Sequence, residues 1–243
     1  MTGMLHKTRG IVVHNTPFKD NSVIAHIYTK DFGMQSFLVN GVRNQKGAIR
    51  PSHLMPLNLV DLVIYKKENV SIHRIKELRC QPILKTIHYD IMKNSVALFI
   101  AEMLHATLRE EEGNEELFSY LWHFIELLDL EEHMIGNFPI YFMVHLSTFL
   151  GFNPKTAYQP GQVFNLREGL FVDTAHKNDD CLDTELSLHL WNTFNTGTAN
   201  ISEVKLPRNI RTILLNRLLD YFTYHGLHGR KIKSHIILRE VLS

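Results

Sequence analysis

Between Thr8 and Arg79 the apolar positions fall in short runs rich in β-branched and aromatic residues, broken by turn formers, a pattern that predicts a small antiparallel β-domain. Five strands are expected, near Arg9 to His14, Ser22 to Thr29, Met34 to Asn40, Leu57 to Lys66 and Val70 to Arg79. Turns are expected at Thr16-Pro17, Asp31-Phe32-Gly33 and Glu68-Asn69. In the second strand Val23, Ala25 and Ile27 face one way while Ile24, His26 and Tyr28 face the other. The fourth is apolar on both faces, with Leu57, Leu59 and Val63 on one and Val60, Leu62 and Ile64 on the other, as in a barrel strand that is also covered from outside. Five strands in this length suit a small barrel of oligonucleotide-binding (OB) type, and periodicity alone does not separate that from an SH3-like barrel.

After Pro82 the period becomes helical. Ile83, Ile87, Ile91, Val96, Phe99 and Met103 form one broad apolar face, which predicts a long helix and a domain boundary near Cys80. Asn114 can cap a helix from Glu115 to Leu128, and Asn137 with Pro139 opens another that stops at Gly151. Residues 152–182 lack period and read as an irregular insert, within which Gln162 to Phe164 and Leu170 to Val172 can pair through Arg167-Glu168-Gly169. Helices resume at Thr184 to Asn195, Pro207 to His225 and Ser234 to Leu242. The expected fold is α+β and multidomain: a barrel over residues 1–80 followed by an all-α domain over 81–243.

Charge adds a direction. The first 80 residues hold twelve Lys and Arg against five Asp and Glu, residues 81–204 hold six against eighteen, and residues 205–239 hold eight against Asp220 alone. Cations segregated in this way suit a polyanion, because each one that neutralises a phosphate releases counterions. An ordinary solvated surface is the plainer reading of the same count. The first 30 residues lack the apolar core of a signal peptide, and the most apolar stretch, Phe138 to Phe152, is too short to span a bilayer, so a cytoplasmic protein with no membrane partner is expected. Cys80 and Cys181 are too far apart in sequence for a CxxC pair.

Chemistry of other kinds finds little support. The chain has fifteen histidines but no HExxH, CxxC or HxH, and the Glu-x-x-His step at Glu102 and His105 has no second copy, so no metal is expected. Neither GxxxxGK[ST] nor GxGxxG nor a nucleophile elbow occurs, so no cofactor and no catalytic residue is expected. The segment Gly41 to Pro51, with Arg43, Lys46 and Arg50 among small and polar residues, reads as a basic loop beside a barrel face, where single-stranded nucleic acid is held by backbone charge and stacking. Phe37, His26 and Tyr28 are the stacking candidates, with a place in the core as the alternative for Phe37 and Tyr28.

Residues 8–44, TRGIVVHNTPFKDNSVIAHIYTKDFGMQSFLVNGVRN, resemble the start of the bacterial RecO family in their first strand, Pro-aromatic step, Asp-x-Ser entry to the second strand and Gly before the third. Residues 217–242, RLLDYFTYHGLHGRKIKSHIILREVL, are similar to its closing pattern, and LGFNP at 150–154 and FNLREGLF at 164–171 to the segments flanking its central insert. Many members carry a four-cysteine zinc module in that insert, whereas here it holds only Cys181, so a structural zinc is not expected.

The resemblance implies an OB barrel, a helical domain and a non-enzymatic DNA repair and recombination mediator. Such a protein binds single- and double-stranded DNA, anneals complementary strands without ATP, docks on the acidic tail of single-strand-binding protein, and joins RecR to load RecA. On that reading Arg9, Lys19, Lys30, Arg43, Lys46 and Arg50 hold phosphates and Phe37 stacks a base. Arg208, Arg211 and Arg217, beside Ile210, Leu214 and Leu218, rim the pocket for the tail. The alternatives are an interaction adaptor whose barrel binds DNA weakly or not at all, and an RNA-binding barrel protein.

Overall fold

In the computed structural model, residues 4–42, 48–67, 70–109 and 112–242 are described. The chain divides into two compact units, Met1–Leu130 and Glu131–Ser243. In the first, strands β1 (Met4–Lys19), β2 (Ser22–Thr29), β3 (Gly33–Asn40), β4 (Leu59–Lys66) and β5 (Ile72–Cys80) close into a barrel of order β1-β2-β3-β5-β4. Closure depends on β1, whose first half pairs with β4 and whose second half pairs with β2, and on a short parallel ladder between β3 and β5. That order is the OB arrangement, which resolves the choice periodicity left open. Gly10 sits where β1 is paired on both sides, to Thr29 and to Val60, and a Cβ there would come within 2.6 Å of Ile27 Cγ2. No larger residue fits that crossing.

Val12, Ala25, Ile27, Phe37, Val39, Val60, Leu62, Ile64 and Leu78 fill the barrel, with Leu54 and Val42 packed in from the β3–β4 connection. The second strand therefore turns Ala25 and Ile27 inward, as its alternation predicts. Leu57 and Leu59 are buried as well. The first strand departs from expectation. It does not stop at a Thr16-Pro17 turn but runs to Lys19, because bulges between Val12 and His14 and between Pro17 and Lys19 absorb the proline within the ladder. The turn expected at Glu68-Asn69 lies outside the described residues.

Helix α1 (Ile91–Thr107) packs on β1, and α2 (Glu115–Leu130) follows, with Asn114 Oδ1 accepting from Leu117 N at 2.9 Å as its cap. The apolar face read across Ile83, Ile87 and Ile91 is a second correction. The backbone N–H groups of Lys85, Thr86 and Ile87 are bonded to the Asp129 carboxylate at 2.8 to 3.1 Å, which holds this stretch out of helix. The helix begins only after Asp90, which caps Lys93 N at 2.9 Å, and Ile83 and Ile91 are exposed.

The second unit comprises α3 (Phe138–Phe149), α4 (Thr184–Asn195), α5 (Arg208–His225), α6 (Ser234–Val241) and a hairpin of β6 (Val163–Asn165) and β7 (Leu170–Val172), with α3 packed on α4 and α5, and α4 on β6. The hairpin turns at Gly169, φ +71°, and α3 ends just before Gly151, φ +78°, both in the left-handed region that glycine enters without steric cost. No helix among the described residues is long and apolar enough to cross a membrane.

Candidate nucleic-acid interface

The barrel carries cations in two places. One is a groove of about 490 Å³ across β1, β4 and β5, lined by Lys7, Arg9, Lys30 and Arg79 but also by Asp31, Asp61 and Glu77. The ladders put opposite charges side by side, Arg9 against Asp61 and Asp61 against Arg79. Helix α2 engages two of the cations. Lys30 Nζ lies 2.7 Å from Glu115 Oε1, and the Arg9 guanidinium carbon lies 4.8 Å from the Trp122 ring centroid and 5.7 Å from that of Phe118. The Lys30–Glu115 pair, open to solvent on the glutamate side, contributes about 1 kcal/mol at most, but it lowers the charge that Lys30 offers to a phosphate.

The other place is the β1–β2 hairpin. Lys19 is exposed there, its Nζ 5.6 Å from the ring centroid of Phe18, which is itself 49% exposed. The basic β3–β4 connection is tethered to this hairpin at both ends: Val42 N donates to Asn21 O at 3.1 Å, and Asn15 Nδ2 donates to Leu54 O at 2.6 Å. Within that connection Arg50 is exposed, while Arg43 and Lys46 lie outside the described residues. Lys19 and Lys30 stand at opposite ends of β2, about 25 Å apart at the strand rise, so the predicted cations do not form one cluster.

Phe37 is fully buried in the barrel core, and Tyr28 is only 3% exposed and packs near Phe118. The stacking role expected of Phe37 is therefore corrected: its inward strand face leaves no ring surface for a base. Phe18 was missed. Its signal in the sequence is its place beside Lys19 at a polar turn, where a buried aromatic is out of place. On the adjoining outer face His14, His26 and His105 group together, with ring centroids 4.5 to 5.9 Å apart. Burial and the neighbouring His14 push the His26 imidazole down from its ordinary pKa. Among the described residues no group of three or more His, Cys, Asp or Glu side chains converges as metal ligands.

In the second unit Arg208 and Arg211 rim a narrow apolar slot of about 30 Å³, but Ile210, Leu214 and Leu218 do not line it. Its walls are Pro139 and Ile140 of α3, Leu215 of α5, and Leu238 and Leu242, with Arg239 as the third cation. Arg217 faces elsewhere. Its Nη2 donates to the carbonyls of Asp179 at 2.9 Å and Cys181 at 3.3 Å, and its Nη1 donates to Asp220 at 3.2 Å. Arg211 is the more confined of the rim pair, and burial together with the charge of Arg208 disfavours its protonated form. An anion in the groove would relieve that cost.

A closed OB-type barrel followed by a helical unit defines the architecture. The family model described as "Recombination protein O N terminal" matches residues 1–82, and that described as "Recombination protein O C terminal" matches residues 88–234. A protein of Phocaeicola vulgatus named "DNA repair protein RecO" is 34% identical over 99% of this chain and all of its own length. Proteins of the same name from Azobacteroides pseudotrichonymphae and Bacteroides fragilis are 31% identical over 98% of this chain and 99% of their own, and 38% identical over 70% of each. The chain belongs to the Recombination protein O, or RecO, family.

Proposed function

We propose that the protein is a DNA repair and recombination mediator that binds single- and double-stranded DNA and anneals complementary strands. The observation that carries this reading is the β1–β2 hairpin of the OB barrel, with exposed Phe18 beside exposed Lys19 and a basic connection tethered to it. A cationic path along the backbone with an aromatic platform holds a single strand without reading its sequence. Annealing then needs no catalytic group. Two strands repel through their phosphates, and a surface that neutralises phosphates while leaving base edges free lowers the cost of bringing them together.

Family membership supports the rest of the reading: recruitment by the acidic tail of single-strand-binding protein, and joining RecR to load RecA. The three arginines between α3, α5 and α6 suit an acidic tail, and the apolar slot they border, about 30 Å³, would have to open to admit an aromatic ring. A domain boundary near residue 80, between barrel and helices, belongs to the same reading.

The test is a salt titration of single-stranded DNA binding by the full chain and by a Lys19→Ala, Arg50→Ala double variant. The expected slope falls by about 1.4, at about 0.7 for each phosphate no longer neutralised. An unchanged slope moves the strand away from the hairpin, and preference for a matched RNA oligomer favours an RNA-binding barrel.

A further inference from the structure

We propose that the second unit carries a single-strand nucleic-acid site of its own, in the groove between the polar side of α5 and the basic segment that leads into α6. The groove is about 550 Å³ and has three kinds of surface. One wall carries the cations Arg230 and Lys231, with His235 beside them. These come from residues 228–235, HGRKIKSH, which contain three Lys or Arg, two His and no acid. His228, φ +47°, and Gly229, φ +81°, are consecutive left-handed residues, and they turn the chain so that this segment lies back along α5. The floor is apolar, including nearly buried Ile232. The opposite wall, on α5, is polar, from Asn216 and Asp220.

That combination selects among anionic ligands. A phosphodiester chain and an acidic peptide would both be drawn to the cationic wall, but both would meet the Asp220 carboxylate across the groove. Asp220 is only partly satisfied by Arg217 Nη1 at 3.2 Å and keeps 51% of its side-chain surface, so it presents acceptor capacity. An acidic side chain brings only acceptors to it. A nucleobase brings amino and imino N–H donors, for which Asp220 and the Asn216 amide are partners, and a flat face for the apolar floor. Bases expose those edges and faces together only in a single strand, and the groove has the size of a small-ligand site, too small for a duplex.

On this inference the chain holds nucleic acid at two separate places, which is what bringing two strands together requires. It rests in part on the proposed function, and the experiment keeps the two apart. The full chain is photo-crosslinked to a deoxythymidine oligomer carrying 5-iodouracil, and the adducts are mapped by mass spectrometry. Adducts are expected within residues 216–235 as well as on the β1–β2 hairpin. An Arg230→Ala, Lys231→Ala double variant should lose those within 216–235 several-fold and lower the salt slope by about 1.4, while the hairpin adducts persist. An Arg230→Lys, Lys231→Arg variant should restore them. Adducts on the hairpin alone, or adducts within 216–235 that the double variant leaves unchanged, overturn the second site. Adducts within 216–235 without any on the hairpin sustain it and remove the barrel reading instead.

Discussion

The guanidinium of Arg9 is stacked over Trp122, a residue 113 positions further along the chain, at 4.8 Å from the ring centroid. A cation that looks available for DNA in the sequence is thereby enlisted by α2. Arg9→Ala is expected to lower the stability of the first unit by about 0.5 to 1 kcal/mol and to leave the salt slope of DNA binding unchanged. Urea denaturation and a salt titration on the same variant check both halves.

Phe18 and Phe37 are alike in sequence, each an aromatic beside a polar neighbour in the basic N-terminal third, yet they are opposites in the fold, one half exposed and the other fully buried. Phe18→Ala should cost single-strand affinity by about 1 to 3 kcal/mol without loss of stability. Phe37→Ala empties part of the barrel core and should destabilise by about 3 to 5 kcal/mol. A Phe18→Ala variant with wild-type affinity would remove this ring from the interface.

Burial raises the cost of ionising Asp129, but the N–H groups of Lys85, Thr86 and Ile87 and the Thr86 hydroxyl together outweigh it and hold the carboxyl below its ordinary pKa. A depressed folded-state pKa gives stability that is present above the unfolded value and is lost as pH falls through the folded one. The protein should therefore lose stability as pH drops below about 4. Asp129→Asn should cost about 2 kcal/mol or more at neutral pH, because an amide nitrogen then faces backbone donors, and should flatten the acid limb. Denaturation midpoints measured from pH 3 to 7 decide it; parallel curves for the two proteins would rule out this role for Asp129.

The insert carries a single cysteine where a tetrahedral zinc set needs four ligands. Elemental analysis of the purified protein is expected to find no stoichiometric zinc. One zinc per chain retained after mild chelation would show ligands drawn from histidines instead.

What the sequence made legible was whatever local pattern decides. Strand β2, helix α4 and the start of the α2 helix at Asn114 follow from alternation, period and a cap. What stayed hidden depended on partners distant in sequence. The start of α1 is set by Asp129, some 43 residues after the N–H groups it takes, and β1 continues past Pro17 only because β2 pairs with it around a bulge. The same limit applies to the cations. Lys30, Arg9 and Arg217 look like Lys19 and Arg208 in sequence, and only Glu115, Trp122 and the carbonyls of Asp179 and Cys181 mark them as occupied.

That distinction makes the arginines of α5 the sharpest test of the tail-binding groove. Arg208 and Arg211 border the slot, and no carboxylate among the described residues pairs with either; Gly136 lets Arg211 lie close, since a Cβ there would stand 3.0 Å from the guanidinium carbon. Arg217 is equally basic and on the same helix but is committed to the segment before α4. An acidic peptide ending in an aromatic residue should bind the wild type, lose about tenfold or more in affinity with Arg208→Ala and Arg211→Ala combined, and bind Arg217→Ala as it does the wild type. Arg217→Ala should instead lower the denaturation midpoint, since two carbonyls lose their donor. Equal peptide affinity for the wild type and the Arg208, Arg211 double variant, measured by fluorescence anisotropy, would take the tail away from this groove. Loss of binding in Arg217→Ala alone would move it to the other side of α5.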